Sequence, residues 1–142
     1  MTATTTMQRP PRSLAATPRR ARAIAVGATV AATGVIYTAA RAFGTDFKLT
    51  DPGKAEAHQL ILPEIIVFAL VFSLLGWGVL ALLERVTRRA KTIWTALAGV
   101  VLALSFVPIA IEQATGDTKV MLALIHVAVA VVLVPALRLT RR

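Results

Sequence analysis

Residues 60–83 read LILPEIIVFALVFSLLGWGVLALL, a continuous apolar run in which Glu64 is the only charged side chain. A helix rises ~1.5 Å per residue, so about 20 such residues cross a hydrocarbon core of ~30 Å. The run has no alternation of polar and apolar positions, which a barrel strand would require. It therefore predicts a transmembrane helix.

Three further apolar stretches have a similar length, at residues 23–43, 93–111 and 120–137. The chain of 142 residues is 56% hydrophobic, which favours one membrane domain over residues 21–138. The predicted fold class is all-α: a polytopic membrane protein with four transmembrane helices in an antiparallel bundle. Small residues in the second span (Ala69, Ser73 and Gly76) predict close helix packing.

The basic residues are segregated to one side of the predicted membrane. Twelve of the 16 Lys and Arg residues fall there, and both termini are therefore predicted to be cytoplasmic, in a multi-pass protein of the cell membrane. The twelve are Arg9, Arg12, Arg19, Arg20, Arg22, Arg85, Arg88, Arg89, Lys91, Arg138, Arg141 and Arg142.

The segments outside the spans carry several local predictions. Residues 1–20 predict a disordered basic tail, and residues 139–142 a basic cytoplasmic end. Residues 54–59 are compatible with a short helix leading into the second span, and residues 115–117 with a tight turn before the fourth. Glu84 and Arg88 are four apart, the favourable order for a helix-surface ion pair.

Composition also bounds the function and the partners. The net charge of +9 lies beside the spans, which argues against nucleic acid and for anionic lipid headgroups at the inner margin. A membrane-protein partner or a second copy of the chain stays open. The chain has no cysteine, which excludes thiol–disulfide chemistry and thiolate metal sites. No catalytic, cofactor or metal motif is present, so we expect no enzyme activity.

Five polar residues form the candidate site. The predicted threading places them in the outer half of the bundle or at its boundary, where Arg41 is expected to pair with Glu64 or Glu112. A pocket of this kind would bind a small polar or cationic ligand or a lipid headgroup. The five are Tyr37, Arg41, Glu64, Glu112 and His126.

Each of these residues also has a structural interpretation, and an ordinary interface layer is the broader alternative to a pocket. His126 would form an interhelical hydrogen bond, and Glu64, which follows Pro63, would cap a helix. Ser105, Pro108 and Glu112 share one helical face. Trp94 is expected to be an interfacial anchor.

Several short segments resemble a known family. They run from Trp77 through Leu83-Glu84-Arg85, Trp94, Leu104-Ser105 and Pro108 to Leu124-Ile125-His126-Val127 and Pro135. The chain is thereby similar to a family of small actinobacterial four-helix integral membrane proteins of unknown function. The resemblance implies four helices and a plasma membrane, and it implies no activity or site residues.

Two functions remain open from the sequence. The first is a structural or accessory membrane subunit that binds a partner. The alternative is a small oligomeric transporter or channel that uses the outer polar cluster.

Overall fold

The computed structural model describes residues 17–140 and contains four long helices and a two-stranded sheet. The elements are α1 (Pro18–Ala42), β1 (Lys48–Leu49), β2 (His58–Gln59), α2 (Leu62–Val86), α3 (Ala90–Ile111) and α4 (Gly116–Leu139). Each helix is long and apolar enough to cross a membrane, so the predicted four-helix, all-α class is confirmed.

Helix α1 begins earlier than the apolar pattern predicts. It starts at Pro18, so residues 18–20 of the predicted disordered tail are helical. Proline is favourable in the first turn, and arginine is a good helix former, so the helix continues beyond the apolar residues. Residues 1–16 of that tail lie outside the described residues, as do residues 141–142 of the predicted basic end.

Helix α4 also begins earlier than predicted, at Gly116. The side chain of Thr115 caps it by accepting a hydrogen bond from the backbone N–H of Thr118 at 3.3 Å. Asp117 lies in the first turn, where the helix dipole favours a carboxylate. The predicted tight connection between the third and fourth spans is present, but it lies at residues 112–115, because residues 115–117 are the cap and the first turn of α4.

The four helices are arranged as a ring, in which α1 and α3 each pack between α2 and α4. Consecutive helices are antiparallel, which gives the bundle two distinct ends. We call the end with residues 43–61 and 112–115 the loop end, and the end with residues 17 and 140 and the α2–α3 connection the terminal end.

Each end has its own apolar core. Tyr37, Phe47, Ile65, Ile109 and Ile125 are among the buried residues at the loop end. Ala25, Val26, Leu80, Trp94, Leu133 and Leu137 are buried together at the terminal end. Trp94 is only 3% exposed, so the predicted interfacial anchor is wrong and the indole is a core residue.

Small residues allow α2 to pack closely, as predicted. Ala69 and Ser73 are buried, and a Cβ atom added at Gly76 would lie 3.8 Å from Leu133 and from Trp94. On α1, a Cβ atom at Gly34 would lie 3.2 Å from Ile66. At these positions small residues therefore let side chains of neighbouring helices pack against the helix.

The α1–α2 connection is a β-hairpin, and the predicted helix at residues 54–59 is wrong. Lys48 pairs with Gln59 and Leu49 with His58. The hairpin reverses near Gly53, whose φ of 82° is a conformation that glycine adopts readily. Once the chain reverses there, the residues after it pair with β1 through backbone hydrogen bonds, which a helix would have prevented.

Phe47 anchors this connection to the bundle. Its side chain is fully buried, and its ring centroid lies 4.6 Å from that of Tyr37. Its φ of 53° is in the left-handed region, which is unusual for a bulky residue and persists only where the surroundings impose it. The hairpin is also joined to the α3–α4 connection by a backbone bridge between Thr50 and Gln113. The loop end is therefore an ordered cap.

Candidate functional site

Two of the five predicted site residues hold the hairpin in place. Tyr37 donates its phenolic hydrogen to the Leu60 carbonyl at 2.9 Å. Arg41 is largely exposed, and its Nη1 atom donates to the carbonyls of Thr45 at 3.3 Å and Asp46 at 3.2 Å. Both side chains therefore bind backbone atoms of the connection and fix where α1 meets it.

Glu64 caps α2. Its Oε2 atom accepts a hydrogen bond from the backbone N–H of Ile61 at 3.0 Å and lies 3.2 Å from His58 Nε2. The predicted capping role is confirmed. Among residues 17–140, neither Glu64 nor Glu112 forms an ion pair with Arg41, so that predicted pairing is wrong. Arg41 instead donates hydrogen bonds to carbonyls of the connection.

The other two predicted residues, Glu112 and His126, line a cavity of about 730 Å³. We call this cavity the lateral cleft. Its walls come mainly from α2, α3 and α4, and several wall residues are among the exposed apolar side chains, so the cleft is open at the bundle surface. Representative wall residues are Phe68 and Phe72 of α2, Val101 and Ser105 of α3, and Ile125 of α4.

His126 is the ionisable side chain on the α4 wall of the cleft. Its Nδ1 atom lies 2.7 Å from the Leu122 carbonyl, and its ring centroid 6.3 Å from that of Phe106. A carbonyl only accepts, so Nδ1 carries a hydrogen, and in neutral imidazole Nε2 is then an acceptor. The expected interhelical hydrogen bond is wrong, because the bond closes within α4.

Three polar side chains line the cleft at the loop end: Asp51, His58 and Glu112. Asp51 accepts a hydrogen bond from Lys54 Nζ and attracts its charge, which raises the pKa of Lys54. Glu112 terminates α3 on the same helical face as Ser105 and Pro108, and all three line the cleft. The predicted common face is thereby confirmed.

The cleft ends near Trp94 and Gly76 toward the terminal end. Trp94 donates its indole hydrogen to the Gly76 carbonyl at 2.8 Å, which joins α3 to α2 there. Both residues line the cleft. This hydrogen bond holds α2 and α3 together at the terminal-end limit of the cleft, and the cleft extends from there toward the loop end.

The terminal end holds an ion pair that sequence reasoning missed. Arg22 Nη2 lies 2.7 Å from Glu84 Oε1, and the two side chains are 7% and 10% exposed. The predicted Glu84–Arg88 pair is wrong, because α2 ends at Val86 and Arg88 lies beyond its last turn. The predicted threading already placed Arg22 and Glu84 on one side of the membrane, which was the available signal.

Lys91 stabilises the same end. Its Nζ atom donates to the carbonyl of Arg138 at 2.7 Å and to that of Thr140 at 2.9 Å. A cation at a helix C-terminus satisfies carbonyls that have no partner within the helix. Among residues 17–140, no group of three or more His, Asp or Glu side chains is arranged to hold a metal ion.

By the length and composition of its four helices, the chain is a multi-pass membrane protein. It belongs to DUF6069, a family of unknown function, whose match covers residues 13–142. The expectation of an uncharacterised family is thereby confirmed. No curated protein and no solved structure matches the chain.

Proposed function

We propose that this protein is a non-catalytic accessory protein of an actinobacterial cell membrane, which binds another membrane component in the lateral cleft. The observation that carries this proposal is the cleft itself, an apolar cavity of about 730 Å³ between α2, α3 and α4. Ligand sites are concave, mostly apolar and supplied with a few polar groups, and the lateral cleft has this composition.

The position of α3 supports binding from the side. Only 6% of its most apolar stretch is buried within the fold, against 33% for α1. Val101 and Leu104 are each about three-fifths exposed on this helix. The outward face of α3 is therefore covered by lipid or by a partner, whereas α1 is held more fully by its neighbours.

The distribution of charge gives the orientation that we propose. The terminal end faces the cytoplasm, because among residues 17–140 it carries eight Lys and Arg residues and the loop end carries four. This end then also attracts anionic lipid headgroups. The loop end and the opening beside Glu112 face outward.

The roles of the polar residues support a function without catalysis. Tyr37 and Arg41 bind loop carbonyls, and Glu64 caps α2. Each has a structural task at the loop end. Only Glu112 and His126, of the five predicted residues, face the space that a ligand would fill.

Site-specific photo-crosslinking in native membranes tests this proposal. A photoreactive amino acid replaces Val101, which is 58% exposed and lines the cleft. The matched control replaces Val35, which is 68% exposed on α1. We expect a discrete adduct from position 101 that position 35 does not give. Equal labelling by bulk lipid at both positions would contradict a dedicated partner.

The adduct also identifies the kind of partner. A protein adduct indicates a heteromeric complex, an adduct of twice the chain mass indicates a homo-oligomer, and a lipid-sized adduct indicates a bound amphiphile.

A small oligomeric transporter is the second candidate, and His126 favours it. Ionisable side chains within membrane spans are costly and often mark ion or proton pathways. Its test is proton flux into proteoliposomes under an imposed membrane potential. A flux that His126→Ala abolishes would support transport, and equal leakage of protein-free liposomes and proteoliposomes would exclude it.

A further inference from the structure

We propose that the lateral cleft binds a single-chain amphiphile with a positively charged head, the head beside Glu112 and the chain directed toward Trp94. This inference rests on the proposed function, since it names the membrane component that the cleft holds. It is carried by the shape of the cleft and by the charge at its opening.

The cleft is long. Its lining on α3 extends from Glu112 to Trp94, so at ~1.5 Å per residue it covers about 27 Å of that helix. Its volume is about 730 Å³. A space of this length accommodates one extended hydrocarbon chain.

The interior of the cleft matches a hydrocarbon chain chemically. Between its two ends the walls are mostly apolar, with Ser105 and His126 among the polar side chains, and Phe72, Leu97 and Val101 are exposed at its rim. A chain therefore enters sideways from the outward leaflet, without passing through water. In the cleft it contacts the side chains of three helices.

The opening of the cleft favours a cation. Glu112 is half-buried at the C-terminus of α3, and among residues 17–140 it forms no ion pair. Its carboxylate lies at the C-terminus of α3, which itself carries partial negative charge. The carboxylate and the helix end therefore both favour a positive group there. Lys119 donates to the Ala110 carbonyl at 3.0 Å, which satisfies one carbonyl of that terminus without pairing with Glu112.

The other charged groups at the opening do not reverse this preference. The carboxylate of Asp51 pairs with Lys54, and His58 faces the carboxylate of Glu64. Asp51 and Glu64 each have a nearby basic partner. Among the carboxylates at the opening, that leaves the charge of Glu112 for the ligand.

Quenching of Trp94 fluorescence by brominated amphiphiles tests the inference. The protein carries Trp77→Phe, so Trp94 is its only tryptophan, and it is reconstituted in phosphatidylcholine nanodiscs. The probes are hexadecyltrimethylammonium and hexadecyl sulfate, each with bromine at the last carbon. Because Trp94 is only 3% exposed, bromine in bulk lipid has little access to the indole except through the cleft.

We expect the ammonium probe to quench Trp94 at a tenfold lower mole fraction than the sulfate probe. Glu112→Gln should reduce that preference at least fivefold. The matched control Glu56→Gln, on the exposed hairpin, should leave it unchanged. Ala130→Phe, which adds a ring to the cleft wall, should weaken quenching by both probes, provided that its circular dichroism shows an intact helical fold.

Equal quenching by the two probes, or an unchanged preference in Glu112→Gln, would overturn the inference. If neither probe quenches Trp94 while the crosslinker at Val101 captures a protein, the inference fails and the proposed accessory function stands. If that crosslinker also gives no specific adduct, both fail.

Discussion

The two ends of the bundle differ in the burial and pairing of their charged side chains. At the terminal end, Arg22 and Glu84 are buried against each other at 2.7 Å, and Lys91 donates to two carbonyls of the α4 terminus. At the loop end, Glu112 borders an open cavity and forms no ion pair within residues 17–140. The terminal end buries an ion pair, whereas the loop end leaves the carboxylate of Glu112 at the rim of a cavity.

The charged residues at the two ends therefore have different surroundings: Arg22 and Glu84 are buried as a pair, and Glu112 lines a cavity. A buried charge is strongly unfavourable unless it is paired and hydrogen-bonded, so Arg22 and Glu84 each depend on the other, and removing one of them alone is destabilising. A carboxylate at the rim of a cavity remains available to a ligand. The contrast predicts that substitutions at the terminal end reduce stability, whereas Glu112→Gln changes ligand preference.

The largest expected effect is at the buried ion pair. Glu84→Gln leaves the Arg22 guanidinium without the carboxylate that now faces it, and Arg22 Nε has no hydrogen-bond partner among residues 17–140. Removing one partner of a buried pair costs about 3–5 kcal/mol. Thermal unfolding in detergent, followed by circular dichroism, should show a transition at a markedly lower temperature.

Two further variants identify the cause of this loss. Arg22→Met combined with Glu84→Gln removes both charges of this pair and should be less destabilising than Glu84→Gln alone, because no unpaired guanidinium is then left buried. Glu56→Gln, an exposed hairpin carboxylate, should have no effect. If Glu84→Gln is as stable as the unaltered protein, the Arg22–Glu84 pair does not stabilise the terminal end.

A smaller effect is expected where Tyr37 fixes the hairpin. Tyr37→Phe removes the 2.9 Å hydrogen bond to the Leu60 carbonyl and should cost about 1 kcal/mol, the net value of a typical hydrogen bond. Hydrogen exchange should accelerate in residues 43–61 and remain unchanged in α3.

Thr38→Val is the matched control for Tyr37→Phe. Thr38 is the next residue and exposed, and its hydroxyl donates within α1, to the Gly34 carbonyl at 2.8 Å. Exchange in the hairpin that accelerates equally in both variants would show that the Tyr37 hydroxyl does not fix the loop end.

The sequence predicted the helices well because membrane helices satisfy their own backbone hydrogen bonds, so an apolar run of sufficient length determines each one locally. Glu64 was assigned correctly as a cap for the same reason, since its partner Ile61 is three residues away. Helix ends were less accurate, as at Pro18 and Gly116, because hydropathy stops where polar residues begin while helical geometry continues.

Contacts between helices were the part that the sequence could not determine. Arg22 and Glu84 are separated by 62 residues, and nothing local favours that partner over Arg88. The burial of Trp94 depends on α2 approaching through Gly76. The lateral cleft depends on how α2, α3 and α4 pack together, which is a property of the assembled bundle. Residue types alone therefore identified Glu112 and His126 but not the space between them.

The smallest effects compare two glycines of α1. Among residues 17–140, a Cβ atom added at Gly27 would have no neighbour within 4 Å, whereas one added at Gly34 would lie 3.2 Å from Ile66 Cδ1. Alanine is favoured over glycine in a helix by about 1 kcal/mol, so Gly27→Ala should raise the unfolding temperature slightly. In Gly34→Ala the crowding against α2 offsets that gain. A larger stabilisation from Gly34→Ala than from Gly27→Ala would contradict this. It would show that α1 and α2 are not closely packed where Gly34 faces Ile66, in the half of the bundle nearer the loop end.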